Sequence, residues 1–156
     1  EKKYEEKWLN MMRDKLGLFG IEDKDKFLIL DLLTWMHQKK LDYTNTFCHL
    51  MSLEIEKNEN FKDRDFQNWK KRWHERLKIN NNTPEKYINL MKSVNPVVIP
   101  RNHKVEEVLN EANKNNIEPL NKLLEILNNP YSDQKDIKEF QIPSSSKEKY
   151  QTFCGT

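Results

Sequence analysis

The chain has 156 residues, 36 % of them hydrophobic and 33 % charged, with a net charge of +2. That length suits one domain, and so small a net charge makes no electrostatic case for a nucleic-acid or membrane partner. Three glycines argue against a glycine-rich phosphate cradle, no apolar run approaches the ~18 residues of a membrane span, and two cysteines are too few for a disulfide scaffold. Cys48 and Cys154 fit a reduced, cytoplasmic protein. Glu1 falls inside a helical pattern, so the chain is expected to be cut from a longer one. Four Trp, seven Phe and five Tyr supply much of the apolar area, which fits solvated helices pinned at a few aromatic points.

No proline precedes Pro84, so the first half reads as helices joined by short turns. Tyr4, Trp8, Met12 and Leu16 recur every four residues, and Gly17 is placed as the left-handed stop. Residues 24–39 are apolar nearly all round (Phe27, Leu28, Ile29, Leu30, Leu32, Leu33, Trp35, Met36), with Lys24, Asp31 and Gln38 as a thin polar stripe. This helix is expected at the centre of the bundle. Asp42 is a cap for a third helix carrying Tyr43, Phe47, Leu50 and Met51, and Glu54 to Asn60 reads as a loop. A fourth helix sets Phe66, Trp69, Trp73 and Leu77 on one face. Thr83-Pro84 opens a helix through Met91.

From Ser93 the texture changes. Asn95 to Pro100 must be extended, since each proline pushes its predecessor out of the α region. A helix then aligns Val105, Val108, Leu109 and Ala112. Another aligns Ile117, Leu120, Leu124 and Leu127, with Pro119 in its first turn. Residues 132–156 read as a loosely held tail. The expected fold is all-α: an irregular bundle of about six or seven helices with an extended C-terminal tail, divided at 1–92, 93–131 and 132–156.

The search for chemistry is short. Cys48 and His49 are helical neighbours projecting about 100° apart, so they are poor co-ligands for one metal ion. His37, His74 and His103 stand singly, and no nucleophile–base spacing occurs. Acidic pairs such as Asp23-Asp25 read as solvated helix faces. Lys70, Lys71 and Arg72 beside Trp69 and Trp73 would suit single-stranded nucleic acid if the indoles faced outward. The spacing instead puts both indoles on the apolar stripe, so core packing is the expectation. No catalytic, nucleotide-binding or metal-binding residue is assigned.

Several stretches, in order, resemble the C-terminal part of the SelO/YdiU family of kinase-like protein adenylyltransferases. They are Met12-Arg13-Asp14-Lys15-Leu16-Gly17-Leu18, Asp42-Tyr43-Thr44-Asn45-Thr46-Phe47, and Asn95-Pro96 followed by Pro100-Arg101-Asn102-His103. Glu106-Glu107 with Ala112, Leu123-Leu124-Glu125 running into Asn129-Pro130-Tyr131, and the terminal Cys154-Gly155-Thr156 complete the set. Gly155 and Thr156 stand where two serines commonly end the family, and Pro100 replaces an expected aliphatic residue.

The resemblance implies a parent enzyme that moves AMP from ATP onto Ser, Thr or Tyr hydroxyls of other proteins. ATP and Mg (or Mn) would be held by a kinase-like domain upstream, leaving this segment catalytically silent. The implied partners are that kinase-like domain and the parent's protein substrates. Cys154 stands where animal members carry selenocysteine, which implies a redox role through pairing with a cysteine in the kinase-like part. Arg101 and Asn102 follow a Pro-flanked segment and precede a helix. Asn102 is placed to cap that helix and Arg101 to contact the rest of the parent, local capping alone being the equal alternative. Rival readings are a stand-alone helical interaction module and a nucleic-acid binder using the Lys70–Arg72 face.

Overall fold

The structure, a computed structural model, describes residues 2–52, 59–135 and 137–144. Among them are eight α-helices: α1 (Lys2–Lys15), α2 (Asp25–Gln38), α3 (Tyr43–Leu50), α4 (Arg64–Lys78), α5 (Pro84–Val94), α6 (Asn102–Asn113), α7 (Glu118–Asn128) and the single turn α8 (Lys138–Gln141). A 3₁₀ turn, Glu59–Lys62, precedes α4. The all-α expectation holds. The chain divides into two compact units between Val97 and Val98. The loop read at 54–60 lies largely outside the described residues.

The helix ends follow local chemistry. Gly17 takes φ +68, its N–H reaches the Asp14 carbonyl at 3.0 Å, and the Leu18 N–H reaches the Arg13 carbonyl at 2.9 Å. This is a Schellman stop. A Cβ on Gly17 would also lie 2.9 Å from the Tyr87 carbonyl oxygen. Asp42 accepts from the Asn45 N–H and Thr83 from the Lys86 N–H ahead of Pro84, as their spacing predicts.

In the first unit, Met12, Leu16, Ile29, Leu32, Trp35, Phe47, Phe61, Phe66, Trp69, Trp73 and Met91 form one buried cluster. The stripe on α4 faces inward: Phe66, Trp69, Trp73 and Leu77 are all buried. Trp69 stacks on Trp73 at 5.5 Å between centroids. Both indole N–H groups are satisfied on main-chain oxygens, Trp69 on Leu28 at 2.8 Å and Trp73 on Leu16 at 2.9 Å. Burial of these rings therefore leaves no orphaned donor.

Two expectations on α2 are corrected. The helix is not enclosed all round, because Phe27 is 67 % and Leu30 40 % exposed. An apolar periodicity shows which faces are able to be buried, not which of them meets a neighbour. Asp25, read as a solvated charge, is buried at 1 %.

In the second unit α6 packs on α7, and Val108, Leu123 and Ile126 are buried. The face of α7 is rotated from its predicted register: Leu124 is 51 % and Ile117 57 % exposed. The stretch read as a tail contains α8 among its described residues. Ile137 and Phe140 are buried, Lys122 pairs with Glu139 at 2.5 Å and lies over the Phe140 ring. Two apolar residues in a polar stretch suffice to dock one helical turn.

Candidate functional site

The end of α1 presents two carbonyls that no helical N–H can reach. Trp73 answers the Leu16 carbonyl, and the Asn95 side-chain amide answers that of Lys15 at 2.9 Å. The Lys15 amine returns to Asn95 Oδ1 at 3.1 Å and to the Val94 carbonyl at 3.4 Å. It also lies over the rings of Tyr43 at 5.6 Å and Phe47 at 5.3 Å, within cation–π range. Tyr43 donates its hydroxyl to Met12 Sδ at 3.4 Å. Burial pushes the Lys15 amine below its ordinary value, with the Cys48 thiol acting in the opposite direction. Burial also raises the Tyr43 hydroxyl. Cys48 is half-buried, and its thiol donates to the Pro96 carbonyl at 3.6 Å.

A second polar knot lies nearby in the same unit. Asp25 receives Arg13 Nε at 2.7 Å, Arg76 Nε at 2.6 Å and the Glu22 N–H at 3.0 Å. Arg13 is held in turn by Asn10 at 2.8 Å. Arg76 also donates to the carbonyls of Phe19 at 3.0 Å and Gly20 at 3.3 Å. Burial of Asp25 works to raise its carboxyl, but the hydrogen bonds from Arg76 and Arg13 outweigh it and hold the group below its ordinary value. One carboxylate thus ties α1, α2 and α4 together.

These groups bond to one another and to main-chain oxygens. Among the described residues no three His, Cys, Asp or Glu side chains come together as metal ligands. No helix of the described residues is long and apolar enough to cross a membrane.

The sequence pattern of the family described as "Protein adenylyltransferase SelO" matches residues 1–128. This chain belongs to the SelO family. It is 53 % identical over 157 residues to a protein nucleotidyltransferase YdiU of Pelagibacter ubique, covering 100 % of this chain and 32 % of that protein. Proteins of the same name from Nitrosococcus oceani and Alcanivorax borkumensis are 44 % and 45 % identical. They cover 98 % and 99 % of this chain, and the match takes in 31 % and 32 % of their own length. The chain therefore spans about a third of the curated relatives it matches.

Three of the stretches that carry the SelO resemblance meet in one place. Met12 and Lys15 come from the first, Tyr43 and Phe47 from the second and Asn95 from the third. Their roles are to close α1 and to lock it against α3 and the segment after α5. Arg13 and Gly17, from the same first stretch, fix α1 to Asp25 and shape its stop. Sequence spacing left both arginine partners of Asp25 unassigned. Asp25 reads as part of a solvated helix face, and nothing local points to an arginine 51 positions away.

The other sequence candidates fare differently. Cys154 lies outside the described residues. Asn102 does not cap α6. It is the first helical residue and exposed, while Arg101 takes the N-cap position with extended backbone and no side-chain cap bond. On α4, Arg72 pairs with Asp31 at 2.8 Å. The indoles of Trp69 and Trp73 lie inside, so they offer no stacking platform beside Lys70 and Lys71.

Proposed function

We propose that residues 1–156 serve as the C-terminal helical part of a cytoplasmic protein adenylyltransferase that moves AMP from ATP onto Ser, Thr or Tyr hydroxyls of other proteins. The match of the SelO pattern along residues 1–128 carries this reading. ATP and Mg (or Mn) are held by a kinase-like domain outside these residues. The segment itself is non-catalytic and braces that domain. In support, the titratable groups gathered here, Lys15, Arg13, Asp25 and Arg76, are engaged with each other and with main-chain carbonyls. Cys154 acts as a redox thiol, joining a cysteine of the kinase-like domain in a disulfide as two electrons and two protons pass to an oxidant such as glutathione disulfide.

The test incubates the full-length protein, and residues 1–156 alone, with ATP labelled at the α-phosphate and Mg or Mn. Label fixed covalently by the full-length protein and not by the segment is the expected result. Label fixed by neither sinks the adenylyltransferase reading, and label fixed by the segment alone overturns its non-catalytic role. For the thiol, Cys154→Ser in the full-length protein should abolish any change in labelling caused by glutathione disulfide. An undiminished response would remove Cys154 from regulation.

A further inference from the structure

A groove of about 880 Å³ runs between the start of α2 and the second half of α4. Its apolar wall is made by Phe27, Leu28 and Ile79. Phe27 and Ile79 stand 67 % and 54 % exposed and line the same groove. The rim is charged unevenly. Asp25 is engaged by Arg13 and Arg76, and Arg72 by Asp31. Glu22, Asp23 and Glu75 stand around the opening against Lys24 and the one positive charge left over from the Asp25 knot, a net of −1.

An apolar recess ringed by surplus carboxylates is complementary to one large apolar side chain flanked by lysine or arginine. We propose that this groove seats such a basic-flanked apolar segment, supplied by the part of the full-length protein outside residues 1–156. The assignment rests on the reading above that these residues belong to a longer chain. The relatives are about three times as long as this match, so about two thirds of each relative's chain lies outside it. A tethered segment reaches the groove in an intramolecular step, at an effective concentration that its linker sets. Seating it covers Phe27 and Ile79 and gives the brace a defined point of attachment.

The experiment places p-benzoylphenylalanine at position 27 of the full-length protein, irradiates it and sequences the cross-linked peptides. The expected product is an intramolecular adduct to a segment outside residues 1–156 with lysine or arginine within a few residues of the site. Asp23→Lys combined with Glu75→Lys should lower its yield several-fold. An adduct to a second copy, to another protein, or to a segment without basic flanks overturns the proposal. So does the absence of any adduct, or a yield untouched by the charge reversal. AMP labelling of the same preparation is read separately. An adduct without labelling keeps the groove and sinks the catalytic reading, and labelling without an adduct does the reverse.

Discussion

Asn95 and Lys15 hold each other twice, the Asn95 amide donating to the Lys15 carbonyl at 2.9 Å while the Lys15 amine donates to Asn95 Oδ1 at 3.1 Å. Asn95 is wholly buried and Lys15 half-buried, so the Asn95 side of this exchange has no water to replace it. Asn95→Ala should strand the carbonyl at the end of α1 and one donor of the amine, at a cost of about 1–3 kcal/mol. Asn95→Asp keeps the acceptor and adds attraction to Lys15, and should recover part of that loss. The midpoint of urea unfolding reads both. An unchanged midpoint in Asn95→Ala would mean that the exchange does not hold α1.

Asp25 is the sole anion between two buried guanidinium groups. Asp25→Asn leaves both cations uncompensated and should cost about 3–5 kcal/mol. The acid dependence follows from the same contacts. Arg76 and Arg13, against the opposing effect of burial, hold the carboxyl below its ordinary value, while the unfolded chain titrates near 3.9. The stabilisation is therefore complete above about pH 4 and drains away as pH falls through the lower, folded value. Below about pH 4 the native chain should lose stability more steeply than Asp25→Asn. Parallel acid profiles would mean that the carboxylate is not engaged as described.

Much of the fold was legible because its punctuation is local. Gly17 stops α1, Asp42 caps α3 and Thr83-Pro84 starts α5, each through a bond within a few residues. What was not legible depends on distant partners. Phe27 and Leu30 are as apolar as Leu28 and Ile29, and only the position of α4 decides which pair is covered. Leu123 and Leu124 are the same residue type, and one is buried while the other is not. The site suffered most. Lys15, Asn95, Asp25 and Arg76 lie 51 to 80 positions from the partners that give them meaning, beyond any periodicity.

Trp73 combines a large buried ring with an indole donor on the Leu16 carbonyl. The two contributions can be separated. Trp73→Phe retains most of the ring and removes the donor, and should cost about 1–3 kcal/mol for the stranded carbonyl and the small void. Trp73→Ala also opens a cavity beside Trp69 and should cost about 3–5 kcal/mol. Thermal or urea unfolding of the pair tests the order. Equal losses would assign the whole effect to the hydrogen bond.

His49 sits half-buried with its ring edge-on to Phe61 at 5.1 Å, and burial pushes its imidazole below the ordinary 6.5. The unfolded chain takes up a proton at about 6.5, while the folded chain resists until a lower pH. Between those two values the unfolded state binds more protons, so stability rises with pH and falls as the solution is acidified from about 6.5. This window lies above the one governed by Asp25, which keeps the two effects apart. His49→Gln removes the titration while keeping a polar side chain of similar reach. The melting temperature of the native chain should drop from pH 7 to pH 5 by more than that of the variant. Identical slopes would mean that His49 is protonated in the fold as readily as in the open chain, and that its packing on Phe61 excludes no water.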